Sequence, residues 1–249
     1  MNQVPVSLKK EPLIEVVWQV QFEPKEGLSV GDLLPGLLYS ELKESHPKLQ
    51  LHRLHTADIP AHISQVDPNL RFSAKYRIEE DDSPFLFQVG ERIITLNCRK
   101  PYTGWASFKN MLLKLIDIIE KSDLVPTPIQ HSLRHINLLT LNPAPNLDAL
   151  QVNLSIGDLH LENLPLQLRV ELPDGDCNHI VQIATPATAN LSSGKSQGSI
   201  LDIETLPNAL PTSWKDISIQ IEMLHEYAIK MFYEHLLTDK AVELMEPEY

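Results

Sequence analysis

Cysteine is scarce: only Cys98 and Cys177 occur in 249 residues, 79 positions apart and with no CxxC pair. Neither a disulfide framework nor a thiolate metal cage is indicated by that spacing. Long apolar runs are missing too. The longest, residues 33–39 and 111–119, are short, and the second is broken by Lys114 and Asp117. Both fall well below the ~20 consecutive apolar residues of a membrane span. Lys9 and Lys10 precede apolar residues as in a secretory leader, but Glu15 and Gln19 interrupt the stretch and it alternates, so no leader core forms. A cytoplasmic location is the expectation.

Positive charge is also in short supply. Lys and Arg number 21 against 33 Asp and Glu, a formal charge of −12. Such a field repels phosphate backbones, and the basic residues form only pairs, Lys9-Lys10 and Arg99-Lys100, so nucleic acid is a disfavoured partner. GKSQG at residues 194–198 matches GxSxG in letters only, since it precedes a strand rather than a helix and so makes no nucleophile elbow; there is no HExxH and no GxxxxGK[ST] loop. The one glycine-rich stretch, residues 192–198 (SSGKSQG), precedes a strand rather than a helix and reads as a hairpin turn.

What is present is enough apolar residue, 43%, for a real core in one large domain or two small ones. Residues 13–22 (LIEVVWQVQF) alternate, with Ile14, Val16, Trp18, Val20 and Phe22 on one side, which predicts a half-buried strand. Leu33, Leu34, Leu37, Leu38 and Leu42 recur at three and four, a helix face within residues 29–45. Strands are expected at 50–55, 71–79 and 85–98, the last folded at Gly90-Glu91, and then a helix at 104–121. Residues 122–128 (SDLVPTP) carry two prolines and mark the best boundary, giving halves 1–124 and 125–249 that either stand apart or share one sheet. The second half reads as strands at 129–141, 164–172, 179–185 and 199–205, with a short irregular or helical piece near Asp148. A long helix follows from Ser213, where Ser213 and Asp216 resemble a capping box, and Thr238-Asp239 stops it and caps a short final helix. The expected class is α+β: antiparallel strands with helices on one face, each half closing with a helix.

Four segments carry a family likeness: PLIEVVWQVQF at the start, PYTGWASFKNML before the middle helix, RHIN within residues 129–141, and LHEYAIKMFYEHLLTDK at the end. In that order they resemble the TIGR04255 family, a sporadically distributed bacterial group defined by sequence. The terminal-helix pattern is the most specific part; His135 stands where the family often has an aromatic residue. The resemblance implies a bacterial chain and carries no activity or catalytic residue.

Polar residues embedded in strands are the remaining candidates. Arg134 falls on one face of its strand and His135 with Asn137 on the other; they would line a polar pocket or serve as satisfied hydrogen-bonding groups of the sheet. Asp202 and Glu204, at i and i+2, share a face and could bind a ligand, do acid–base work, or meet Arg134 across the sheet. These five residues form the candidate ligand site, and no catalytic group is assigned. Zinc is not expected. His131 and His135, four apart in a strand, would stand about 13 Å apart, while His52 and His55 point to opposite faces. His225 and His235 are nearly three helical turns apart. Cys98 beside Arg99 and Lys100 is either an activated thiol or a buried core cysteine. No cofactor is indicated. Two functions follow. The first is a non-catalytic binding protein with a protein partner, an accessory or neutralising component of a bacterial defence or conflict system. The second is a small-molecule or nucleotide binder, or an enzyme, with a pocket between sheet and helices.

Overall fold

The computed structural model describes residues 4–191 and 194–249. In chain order the elements are β1 (Ser7–Leu8), β2 (Leu13–Gln21), α1 (Val30–Lys43), β3 (Gln50–Arg53), two short helices α2 (Ala61–Val66) and α3 (Pro68–Arg71), β4 (Ala74–Glu79), β5 (Phe85–Gly90), β6 (Ile93–Arg99) and α4 (Trp105–Ser122). Then come β7 (Gln130–Leu139), the small strands β8 (Ser155–Ile156) and β9 (Leu159–His160), and β10 (Leu166–Asp174), β11 (Cys177–Leu191) and β12 (Gly194–Pro207). The chain closes with α5 (Trp214–Lys230), a wider-wound π segment (Met231–Leu236), α6 (Asp239–Leu244) and β13 (Pro247–Glu248). Nine strands form one antiparallel sheet in the order β10-β11-β12-β7-β2-β6-β5-β4-β3, so the expected α+β class holds. Among the described residues no helix is long and apolar enough to cross a membrane.

Two differences from the expected elements have plain causes. β11 and β12 run well past the predicted strands: β12 pairs with β7 only over Ser199–Thr205, while Gly194–Gly198 pairs with β11 alone. On β11 that arm follows Pro186 and a register shift between Ala184 and Ala187, and the hairpin ladder carries it past the break. Of the predicted 192–198 turn, Ser192 and Ser193 lie outside the described residues. Near Asp148 the chain is irregular because Asn146 Oδ1 accepts from the Asp148 amide at 2.8 Å, a local bond that competes with helix.

By compactness the chain divides into two units. One comprises Val17–Ser132 and Ala209–Ile221. There β2 buries alternate residues, Trp18 and Val20, with Phe22 just beyond its end, whereas β5 and β6 are buried on both faces, Leu86, Phe87 and Val89 in the one and Ile93, Ile94 and Leu96 in the other. Leu34, Leu38 and Leu42 of α1 and Phe108, Leu112, Leu115 and Ile119 of α4 are equally buried at helical spacing, but Leu33, expected on the same α1 face, is 50% exposed. Trp18 Nε1 donates to His131 Nδ1 at 3.4 Å, so the other ring nitrogen carries the proton and donates to Gln220 Oε1 at 2.8 Å. Burial lowers the His131 pKa to about 4 and keeps the ring neutral. Ser213 Oγ accepts from the Asp216 amide at 3.2 Å, and the Asp216 carboxylate accepts from the Thr212 hydroxyl and amide and from the Ser213 backbone, the reciprocal bond of the expected capping box; these bonds lower its pKa.

The other unit comprises the chain up to Val16, Leu133–Asn208 and Glu222–Tyr249. Val181, Ile183, Leu201 and Ile203 of the sheet are buried in one cluster with Met231, Phe232, Leu236 and Leu237. Thr238 caps α6, its hydroxyl accepting from the Ala241 amide. Gly198 lies where β12 meets β7, and a Cβ there would stand 2.3 Å from the Leu139 carbonyl oxygen. Backbone cannot yield as a side chain can. We therefore expect Gly198→Ala to lower unfolding stability by about 1–3 kcal/mol, read from the urea midpoint at unchanged slope.

Candidate functional site

The unit built on β7, β12, β11 and β10 contains a cleft of about 510 Å³. Its floor follows from the antiparallel register. Leu168 pairs with Ile183, Val170 with Val181 and Leu172 with His179, so alternation sends all six side chains to the helix-covered face. Of these, Leu168, Val170, Leu172, Val181 and Ile183 line the cleft. Pro173 and Asp174 at the end of β10, Met231, His235 and Leu236, and the segment Gln151, Val152 and Asn153 complete the lining. The volume falls within the range of small-molecule sites, roughly 300–1,000 Å³.

Helical geometry changes at this wall. The Leu237 amide donates to Phe232 O at 3.1 Å, an i to i+5 bond, where an α-helix would use i+4. Such widened turns concentrate at functional sites. The adjoining segment stitches to the helix end: the Gln151 amide donates to Leu236 O at 2.8 Å, Thr238 N to Ala149 O at 3.0 Å, and the Gln151 side chain to Leu237 O.

Polar groups of the cleft wall gather where β10 ends. Asp174 lines the cleft and pairs with Lys230 at 3.4 Å. The β10–β11 turn is anchored there by Gly175, at φ +56°, where a Cβ would lie 2.4 Å from the Tyr227 hydroxyl; only glycine meets both demands. His179 is fully buried, its Nδ1 3.0 Å from Thr205 Oγ1 and its Nε2 without a partner among the described residues. Burial holds its pKa below the ordinary histidine value; His235 and Lys230 push the same way and Asp174 opposes them. The neighbouring Cys177 thiol is pushed up to about 11, chiefly by burial, which leaves it protonated and unreactive.

The five residues singled out in the sequence divide between the two faces, as strand alternation requires. Arg134 and Asp202 meet on the face opposite the cleft in a two-pronged pair, Nε to Oδ1 at 2.7 Å and Nη2 to Oδ2. Glu204 is the direct register partner of Arg134. Asp202, and more weakly Glu204 and Glu15, hold the Arg134 guanidinium above its ordinary pKa. His135 and Asn137 are buried on the helix-covered face, and Asn137 Nδ2 donates to Leu201 O at 3.3 Å. The His135 ring lies 6.1 Å from that of His225, centroid to centroid, and neither of its nitrogens has a hydrogen-bond partner among the described residues. None of the five lines the cleft. Cys98 is fully buried, and the Arg99 guanidinium is engaged with Glu79 at 3.0 Å. Among the described residues no group of three or more His, Cys, Asp and Glu side chains is placed to hold a metal ion.

Asp174, His179 and His235 escaped the sequence reading. Asp174-Gly175 was visible as a turn dipeptide, and the alternation of residues 166–172 as a strand, but the widened turn that brings His235 to the wall leaves no trace in residue spacing.

Burial, and to a lesser extent His225, depresses the His135 pKa to about 3 from the unfolded value of 6.5. Between those values the unfolded chain binds the extra proton, so keeping this ring neutral costs no proton-linked stability above about pH 6.5 and destabilises the fold progressively as pH falls through the window. We expect His135→Leu to stabilise the neutral-pH fold by about 1 kcal/mol or more, since two unsatisfied nitrogens leave the core. It should also flatten the acid limb of stability. Urea titrations from about pH 7 down to about pH 4 check both effects.

No protein-family model matches the chain, and no curated protein is significantly similar to it in sequence.

Proposed function

We propose that this protein is a non-catalytic binding protein whose cleft takes a small, largely apolar molecule with one hydrogen-bonding end. A single observation carries the reading: the floor is aliphatic from Leu168 to Ile183, and polar side chains enter where Asp174 and His235 stand. An apolar body of ~200 Å² laid on that floor would gain ~5 kcal/mol gross from leaving water, less the cost of immobilising it. The polar end of the ligand would meet Asp174 and its Lys230 partner, which supply an acceptor and a donor side by side. Several polar groups here already serve the fold: Gln151 donates to Leu237 O, and Asp174 pairs with Lys230. That commitment supports recognition over bond-making chemistry.

The test is thermal unfolding against a graded panel of amphiphiles, medium-chain fatty acids, alcohols and amines, with the cleft-filling variant Val170→Trp as control. A ligand held at a hundred times its dissociation constant should raise the midpoint by about 5–10 °C. The same ligand should leave Val170→Trp unmoved, and Asp174→Asn should change the preference among head groups. Equal shifts in wild type and Val170→Trp would remove the cleft from the explanation.

A further inference from the structure

The strand that borders this cleft is also the outer edge of the nine-stranded sheet. On one side β10 pairs with β11, and no backbone bond joins its other side to a described residue outside that ladder. Free edges invite a further strand, and proteins usually blunt them with prolines or unpaired charge. β10 carries Pro173 near one end and, flanking Val170 at its middle, charges of both signs, Arg169 and Glu171.

Its residues, LQLRVELPD, are self-complementary about Val170. If a second copy lies antiparallel with the two Val170 residues opposed, Arg169 faces Glu171 of the second copy and Glu171 faces its Arg169. Leu168 then meets Leu172, and the two-fold makes two such charge pairs. Backbone directions agree with this register. Asp174 and Cys177 flank a two-residue turn and so form a hydrogen-bonded pair. Counting back, residues 172, 170 and 168 direct their amides to β11, while 173, 171, 169 and 167 direct theirs outward. Pro173, which has no amide hydrogen, falls on the outward side, the place where an edge strand tolerates proline. Arg169 and Glu171 are therefore the pair that would exchange backbone bonds with their counterparts.

Two further observations fit. The Arg169 and Glu171 side chains are 53% and 54% exposed and, among the described residues, pair with each other at 2.8 Å. On the helix-covered face Leu168, Val170 and Leu172 are only partly buried, since no strand lies beyond them. A second copy would cover them with their own equivalents and wall the open side of the cleft.

We propose that β10 pairs with β10 of a second copy of this chain about a two-fold axis at Val170, forming a sheet continuous across a symmetric dimer. The experiment is sedimentation equilibrium of the full chain over a wide concentration range, with charge-swapped variants. Wild type should show a monomer–dimer equilibrium. Arg169→Glu and Glu171→Arg alone should each weaken it by roughly tenfold or more, because both symmetric pairs become repulsive. The double swap, Arg169→Glu with Glu171→Arg, should restore it. All three variants alter exposed side chains, and their far-UV circular dichroism shows whether the fold persists. A wild type that stays monomeric at every concentration overturns the proposal, as does a dimer that ignores the single swaps or is not restored by the double one.

Discussion

The ladder of backbone hydrogen bonds that joins β7, β12, β11 and β10 imposes a period of two on every side chain it carries. Once Ile203 of β12 stands opposite His135 and Val181 of β11 opposite Ile203, the neighbours of each are committed to the other face. A slip of one residue would put Arg134 and Asp202 into the aliphatic cluster and carry Leu201 and Ile203 out of it. The cleft floor, the Arg134–Asp202 pair and the buried histidines are consequences of this one constraint.

Histidine is used in the interior as a neutral, shaped residue. His131 is satisfied on both nitrogens by Trp18 and Gln220, His179 on one by Thr205, and His135 on neither among the described residues. The cost of burying them rises in that order, and their depressed pKa values share one leading cause, desolvation of the cation. Rings that stay uncharged at neutral pH can sit among aliphatic side chains without a counter-ion. The open face follows the opposite rule. Arg134 there is held by a carboxylate, and its charge stays on at any pH the fold survives.

Cleft and free edge are one feature seen from two sides. β10 has a neighbour on one flank only, so its inward residues Leu168, Val170 and Leu172 are half covered, and the space they leave against Met231, His235 and Leu236 is the cleft. A fully paired central strand would have closed it. The widened turn at Met231–Leu236 adds to the effect by interrupting the regular helical surface that would otherwise lie flat on the sheet.

By itself the sequence determined the class and most of the elements. Alternation marked β2, β7 and the central part of β12; three-and-four spacing marked α1, α4 and α5; Thr238 announced its own cap. It also determined that Arg134 would part company with His135 and Asn137, because adjacent strand residues point opposite ways whatever the fold. Tertiary structure decided everything that depends on which strand lies beside which. That β10 is an edge and that β11 and β12 extend as an arm are facts of register between distant segments. So is the placing of Asp174 and His235 in the wall of one cleft, drawn from a strand and a widened helical turn. Local patterns report which face a residue takes; they carry no information about the neighbour across a hydrogen-bonded ladder, and that neighbour makes the site.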